Sequence, residues 1–151
     1  MSAKAVLAPL QALHQTLRRW AVRFSSALAG GALGGLAASG AAFGLCSLIL
    51  EHRTGIDAAF WPGWEWAARI CVYGAVAGLL LLPPWLRRSA TFKGLLLSLV
   101  PTAIMLLGLV PQPHTAPAPL AGGEMVLAVV PGANAAWGLV ACWWMKLCGE
   151  Q

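Results

Sequence analysis

Charge is scarce in this 151-residue chain. Asp, Glu, Lys and Arg together make up 10% of it, against about 25% in soluble domains. Hydrophobic residues make up 59%. A soluble domain of this length has no interior large enough to hide that much apolar surface, and a disordered chain is far more polar. Histidine is equally sparse: His14, His52 and His114 all fall outside the apolar runs. A haem held by two membrane histidines and a converging zinc site are therefore not expected. The four cysteines, Cys46, Cys71, Cys142 and Cys148, have no CxxC spacing. No Asp, Glu, Lys or His stands in the middle of any apolar run, which argues against a proton-coupled pump or transporter.

The apolar runs are four: residues 24–50, 68–86, 94–110 and 125–147. A hydrocarbon core about 30 Å thick takes about 20 helical residues, and backbone polar groups in lipid must pair within their own helix. The expected fold is an all-α integral membrane protein, one domain over 1–151, with four transmembrane helices. The first run is long enough to need tilt. Before it, Val6, Leu10, Leu13, Leu17, Trp20 and Phe24 recur at helical spacing, with Gln11, His14, Gln15, Arg18 and Arg19 opposite. Residues 1–23 thus read as an amphipathic cytoplasmic helix lying on the membrane surface, with Pro9 in its first turn or at its start.

The few charges are asymmetric. Lys4, Arg18, Arg19, Arg23, Arg87, Arg88, Lys93 and Lys146 fall on one side of the four-span plan, and only Arg53 and Arg69 on the other. Glu51, Asp57, Glu65 and Glu124 lie opposite to most of the basic residues. By the positive-inside rule both termini face the cytoplasm, and the expected location is the cell inner (plasma) membrane. Trp20, Trp85, Trp143 and Trp144 would mark the inner interface, and Trp61, Trp64 and Trp66 the outer one. Trp137 is the exception, deep in the fourth run. The pair Arg18-Arg19 lacks the polar residue that precedes an export signal's twin arginines, so it reads as an orientation signal. The outer loops carry a Pro62-Gly63 turn and an extended proline-rich stretch with Pro113, Pro117 and Pro119.

The first run holds two overlapping GxxxG pairs, Gly30 with Gly34 and Gly31 with Gly35; Gly40 and Gly44 extend the small-residue surface. The second run repeats the spacing at Gly74 and Gly78. Small residues let helix backbones approach closely, so these positions are expected to pack helix one on helix two or on a second copy. Pro101 and Pro131 interrupt the third and fourth helices, and Asn134 is a strongly polar side chain near mid-membrane. It is expected to make an interhelical hydrogen bond or, in the alternative, to contact a substrate. Pro83-Pro84 end the second helix. Cys46 and Cys71 are expected at similar depth, as free thiols, with a disulfide geometrically conceivable.

The chain has no arrangement of nucleophile, base or metal ligands, so no enzyme activity and no cofactor are expected. Its expected role is an accessory or assembly subunit acting through helix contacts, with the lipid bilayer, another copy or another membrane protein as partner and no nucleic acid. The alternative is a small oligomeric transporter or channel built on the proline-broken helices three and four.

Overall fold

A computed structural model describes residues 3–54, 64–83, 89–107 and 123–149, and every element among them is helical. The elements are α1 (Ala3–Thr54), α2 (Trp64–Gly78) with a 3-10 turn at Leu79–Leu81, α3 (Ala90–Leu106) and α4 (Gly123–Leu147). Three stretches are long and apolar enough to cross a membrane: Gln11–Ile49, Trp64–Leu81 and Val126–Leu147. At 17 residues, α3 sits at the short end of the spanning range. The Pro62-Gly63 turn, Trp61, Trp85, Arg87, Arg88 and the prolines at 113, 117 and 119 lie outside the described residues.

The helices pack in the order α2, α1, α4, α3. Extensive contacts join α1 to α2, α1 to α4 and α3 to α4. All three pairs run antiparallel, as the close approaches show: Ala27 lies by Gly78 and Gly35 by Cys71, Gly30 by Ala141 and Gly34 by Trp137, Gly94 by Gly138 and Met105 by Asn134. The core is Ala27, Ala38, Leu81, Ala90, Trp137, Ala141, Cys142 and Met145. It is made mostly of small residues because α1 and its neighbours meet almost backbone to backbone.

The element boundaries correct several expectations. No break separates residues 1–23 from the first span: α1 is one 52-residue helix. Pro9 therefore falls in the second turn, six residues past Ala3, and α1 carries on through it. The second helix starts at Trp64 rather than 68 and leaves α-geometry after Gly78 rather than 86. Pro83 has no N–H for the Leu79 carbonyl, and Pro84 disfavours helical backbone at Pro83. The last turn tightens instead, with Leu82 N–H bonded to Leu79 O at 3.2 Å. The third helix begins at Ala90, not 94, because Ser89 caps it: its Oγ accepts from Phe92 N–H at 3.2 Å. Leu107 closes α3, earlier than 110. The fourth helix starts at Gly123 and ends at Leu147, within two residues of expectation. Helical geometry runs on through Pro101 and Pro131.

Candidate functional site: a glycine seam closed by Trp137

Successive helical residues are about 100° apart, so the two overlapping GxxxG pairs of α1 point at different neighbours. Gly31 and Gly35 face α2. A Cβ on Gly31 would run into Gly74 O and meet Gly78 Cα at 2.8 Å, and one on Gly35 would meet Ile70 O at 2.7 Å. Gly74 and Gly78 answer from α2, against Gly31, Gly35 and Ala27. Gly30 and Gly34 face α4, where an added Cβ would lie 2.9 Å from Trp144 Cδ1 and 2.7 Å from Trp137 Cδ1. Gly30, Gly31, Gly34, Gly35, Gly74 and Gly78 thus all lie in contacts within the chain. Each replaces a side chain with backbone dispersion contact to the facing helix.

Gly40 and Gly44 do not extend this surface. Neither has any other atom within 4 Å of the position a Cβ would take. The cause is angular: Gly40 is five residues past Gly35 and Gly44 nine, about 140° and 180° around the helix. Both have turned away from α2, and neither meets a side chain of α4.

Trp137 closes the seam. Its indole lies over Gly34, and its Nε1–H donates to Gly31 O at 3.1 Å and to Gly74 O at 3.3 Å. One side chain of α4 therefore ties together carbonyls of α1 and α2. The sequence marks Trp137 only as an indole out of place; its depth is explained by the two acceptors that the glycines leave uncovered. One heptad further on, Trp144 covers Gly30, but its Nε1 is buried with no hydrogen-bond partner among the described residues.

Asn134 lies on the α3-facing side of the same helix, 7% exposed. Its Nδ2 donates to Met105 Sδ at 3.9 Å, a weak bond that crosses from α4 to α3. Near Pro101, Ser98 Oγ donates to Leu95 O at 2.7 Å and Thr102 Oγ1 to Ser98 O at 2.7 Å. Next to Pro131, Gly132 receives the end of the Leu45 side chain from α1.

Lys93 is the residue that the sequence misplaces. Counted as a basic loop residue, it instead lies in the first turn of α3, 6% exposed. Its Nζ donates to Leu81 O at 3.1 Å and Pro83 O at 3.4 Å. Because the helix stops at the Pro83-Pro84 pair, its last carbonyls have no following turn to supply their N–H donors, and the lysine donates to them instead. Pro83-Pro84 ten and nine residues before a lysine is the only trace of this in the sequence.

Cys46 and Cys71 are not at similar depth. Cys71 packs beside Gly35, eleven residues before Cys46, or about 16 Å along the axis. α1 overshoots the start of α2, so the two cysteines are staggered beyond disulfide reach, and none of the four cysteines is in a disulfide. Comparison with family models, with curated proteins and with solved structures finds no match for the chain.

Proposed function

We propose that this is a four-span, multi-pass protein of the cell inner membrane, with both termini cytoplasmic, that acts without enzymatic chemistry as an accessory or assembly subunit. One observation carries the reading. Among the buried polar side chains, Ser39, Ser98 and Thr102 bond back to carbonyls of their own helices, while Lys93 and Asn134 reach a neighbouring element, so their polar chemistry is engaged within the chain. The short α3 is read as the fourth span because Lys93 and Ser89 at its start, and the Lys/Arg asymmetry of the whole chain, fit a cytoplasmic end there. The outward faces of α1 to α4 are apolar and are the surfaces on which lipid or a membrane partner would sit.

Native co-purification after in-cell crosslinking tests this. A stoichiometric membrane partner supports the accessory role, and a protein recovered only as a monomer defeats it. Reporter fusions at the C-terminus and after Gly55 should fall on opposite sides of the membrane.

The second reading, a small oligomeric transporter or channel, rests on Asn134 and Met105, which meet where proline-containing α3 and α4 pack. Solute flux in proteoliposomes that Asn134→Leu abolishes would favour it over the accessory role.

A further inference from the structure

α1 outruns the bundle at its N-terminal end. Gly78 of α2 faces Ala27, and Trp144 of α4 faces Gly30, while Ala27 is the first buried residue of the described side chains from residue 11 onward. The 3-10 turn that follows Gly78 still touches α1, and α4 runs on past Trp144 to Leu147, so residues 3 to about 23 project past the bundle by about 30 Å. Leu13, Leu17, Trp20 and Phe24 are exposed along this arm. Their stripe runs on in 3–4 spacing through Ala27 and Gly31, the line of α1 that α2 covers. The stripe is the packed face of α1 continued beyond its cover.

A second copy is a poor occupant. A parallel pair would need the two stripes face to face, and each chain's own α2 stands on that side. Charge adds to the objection, for Lys4, Arg18, Arg19 and Arg23 are all basic and no acid occurs before Glu51. The same charge is complementary to an anionic leaflet. Arg23 already lies over the Trp20 ring, 5.9 Å from its centroid, an indole–cation pair suited to a headgroup layer. At the step from exposed arm to buried seam stand Ser25 and Ser26, and Ser25 Oγ donates back to Val22 O at 2.9 Å. Such back-bonding eases bending, and serine pairs are recurrent kink points.

We propose that the arm is an anionic-lipid contact: α1 bends at Ser25–Ser26 toward the α2 side and lays Leu13, Leu17, Trp20 and Phe24 into the surface of an anionic bilayer. Bending toward the stripe turns the stripe down to the lipid. Arg18 and Arg19 lie away from it, and Arg23 flanks it, within reach of headgroups. This rests on the membrane-spanning part of the reading above and adds the lipid class and the bend point.

The test uses the full chain in single-copy nanodiscs, with Cys46, Cys71 and Cys148 replaced by alanine and buried Cys142 kept. A nitroxide is placed by Leu17→Cys, in a second protein by Leu13→Cys, and in a third by Gln15→Cys on the opposite face. In phosphatidylglycerol-containing discs the labels at 17 and 13 should be oxygen-accessible and shielded from a water-soluble relaxant, while that at 15 stays in water. In phosphatidylcholine discs the inserted fraction should fall, and each of Arg18→Gln, Arg19→Gln and Arg23→Gln should lower the inserted-to-free ratio in anionic discs roughly fivefold. Labels at 17 and 13 that remain in water in anionic discs overturn the proposal. So does equal insertion in both lipids, and so does dipolar coupling between labels in two-copy discs, which would give the stripe to a second copy. A chain that fails to enter discs at all refutes the membrane-spanning reading instead, so the two failures are told apart.

Discussion

Two groups of glycines on α1 share a residue type and an i, i+4 spacing but not a fate. Gly30, Gly31, Gly34 and Gly35 are pressed against neighbouring helices; Gly40 and Gly44 face open space. The GxxxG spacing is the same in each case, so spacing alone does not make a seam. What separates the groups on the α2 side is angle: the first four span two adjacent lines that match two neighbours, and the last two have turned away from the line that α2 covers. A doubled GxxxG offset by one residue is thus the pattern of a helix wedged between two others, and a later GxxxG on the same helix need not belong to it.

The sharpest way to break this contrast is to add bulk. Gly31→Leu should be the most damaging change, because the first atom added already meets backbone that cannot rotate away. Overpacking of this kind costs about 1–3 kcal/mol and occasionally more, and a backbone clash on both sides belongs at or above the upper end. Gly40→Leu, identical in chemistry, should leave the unfolding midpoint in mild detergent within experimental error. Equal losses from the two variants would remove the angular explanation.

Lys93→Met comes next. It strips a charged donor from Leu81 O and Pro83 O while keeping the side chain's apolar length. Hydrogen bonds to charged groups contribute about 1.5–3 kcal/mol, so a loss in that range is expected. Lys93→Arg should recover part of it. The measurement is again detergent unfolding, and hydrogen exchange should show the loss concentrated at the 3-10 turn Leu79–Leu81.

A second matched pair tests the seam from the α4 side. Trp137 and Trp144 both cover a glycine of α1, one with two acceptors for its N–H and one with none. Trp137→Phe should cost about 1 kcal/mol, the net worth of a hydrogen bond, and Trp144→Phe should cost less or stabilise by freeing a buried donor from its lack of a partner. If Trp144→Phe is the worse of the two, ring packing and not the shared hydrogen bond holds the seam.

Much of this was legible beforehand, and the misses share a cause. Apolar runs and proline positions located four helices, and the small residues at 30, 31, 34, 35, 74 and 78 marked the close approaches. Local rules failed where two elements meet. Ser89 is a readable helix start, yet Lys93 was counted as loop because nothing in its own neighbourhood says that the end of α2 needs a donor. Cys46 and Cys71 stand at similar distances from the ends of their apolar runs, but run boundaries carry no trace of the overshoot of α1 past α2 that separates them. α1 stays helical past Phe24 because amphipathicity changes there while helix propensity does not, and no proline or glycine intervenes between Pro9 and Gly30.

The smallest predicted effect is also the one that isolates the comparison most cleanly. Gly40→Ala and Gly44→Ala each add one methyl group in open space and remove the backbone freedom of glycine in a helix interior, a gain of about 0.5–1 kcal/mol. Gly31→Ala and Gly35→Ala add the same methyl group and the same loss of freedom, but into Gly74 O, Gly78 Cα, Ile70 O and Cys71 Cα. The propensity term is common to both pairs, so it cancels in the difference, and what remains is the contact alone. The sign should therefore flip between the pairs in a single unfolding series. Stabilisation at 31 and 35 would mean that α1 and α2 have room between them, and that the glycines are there for composition and not for approach.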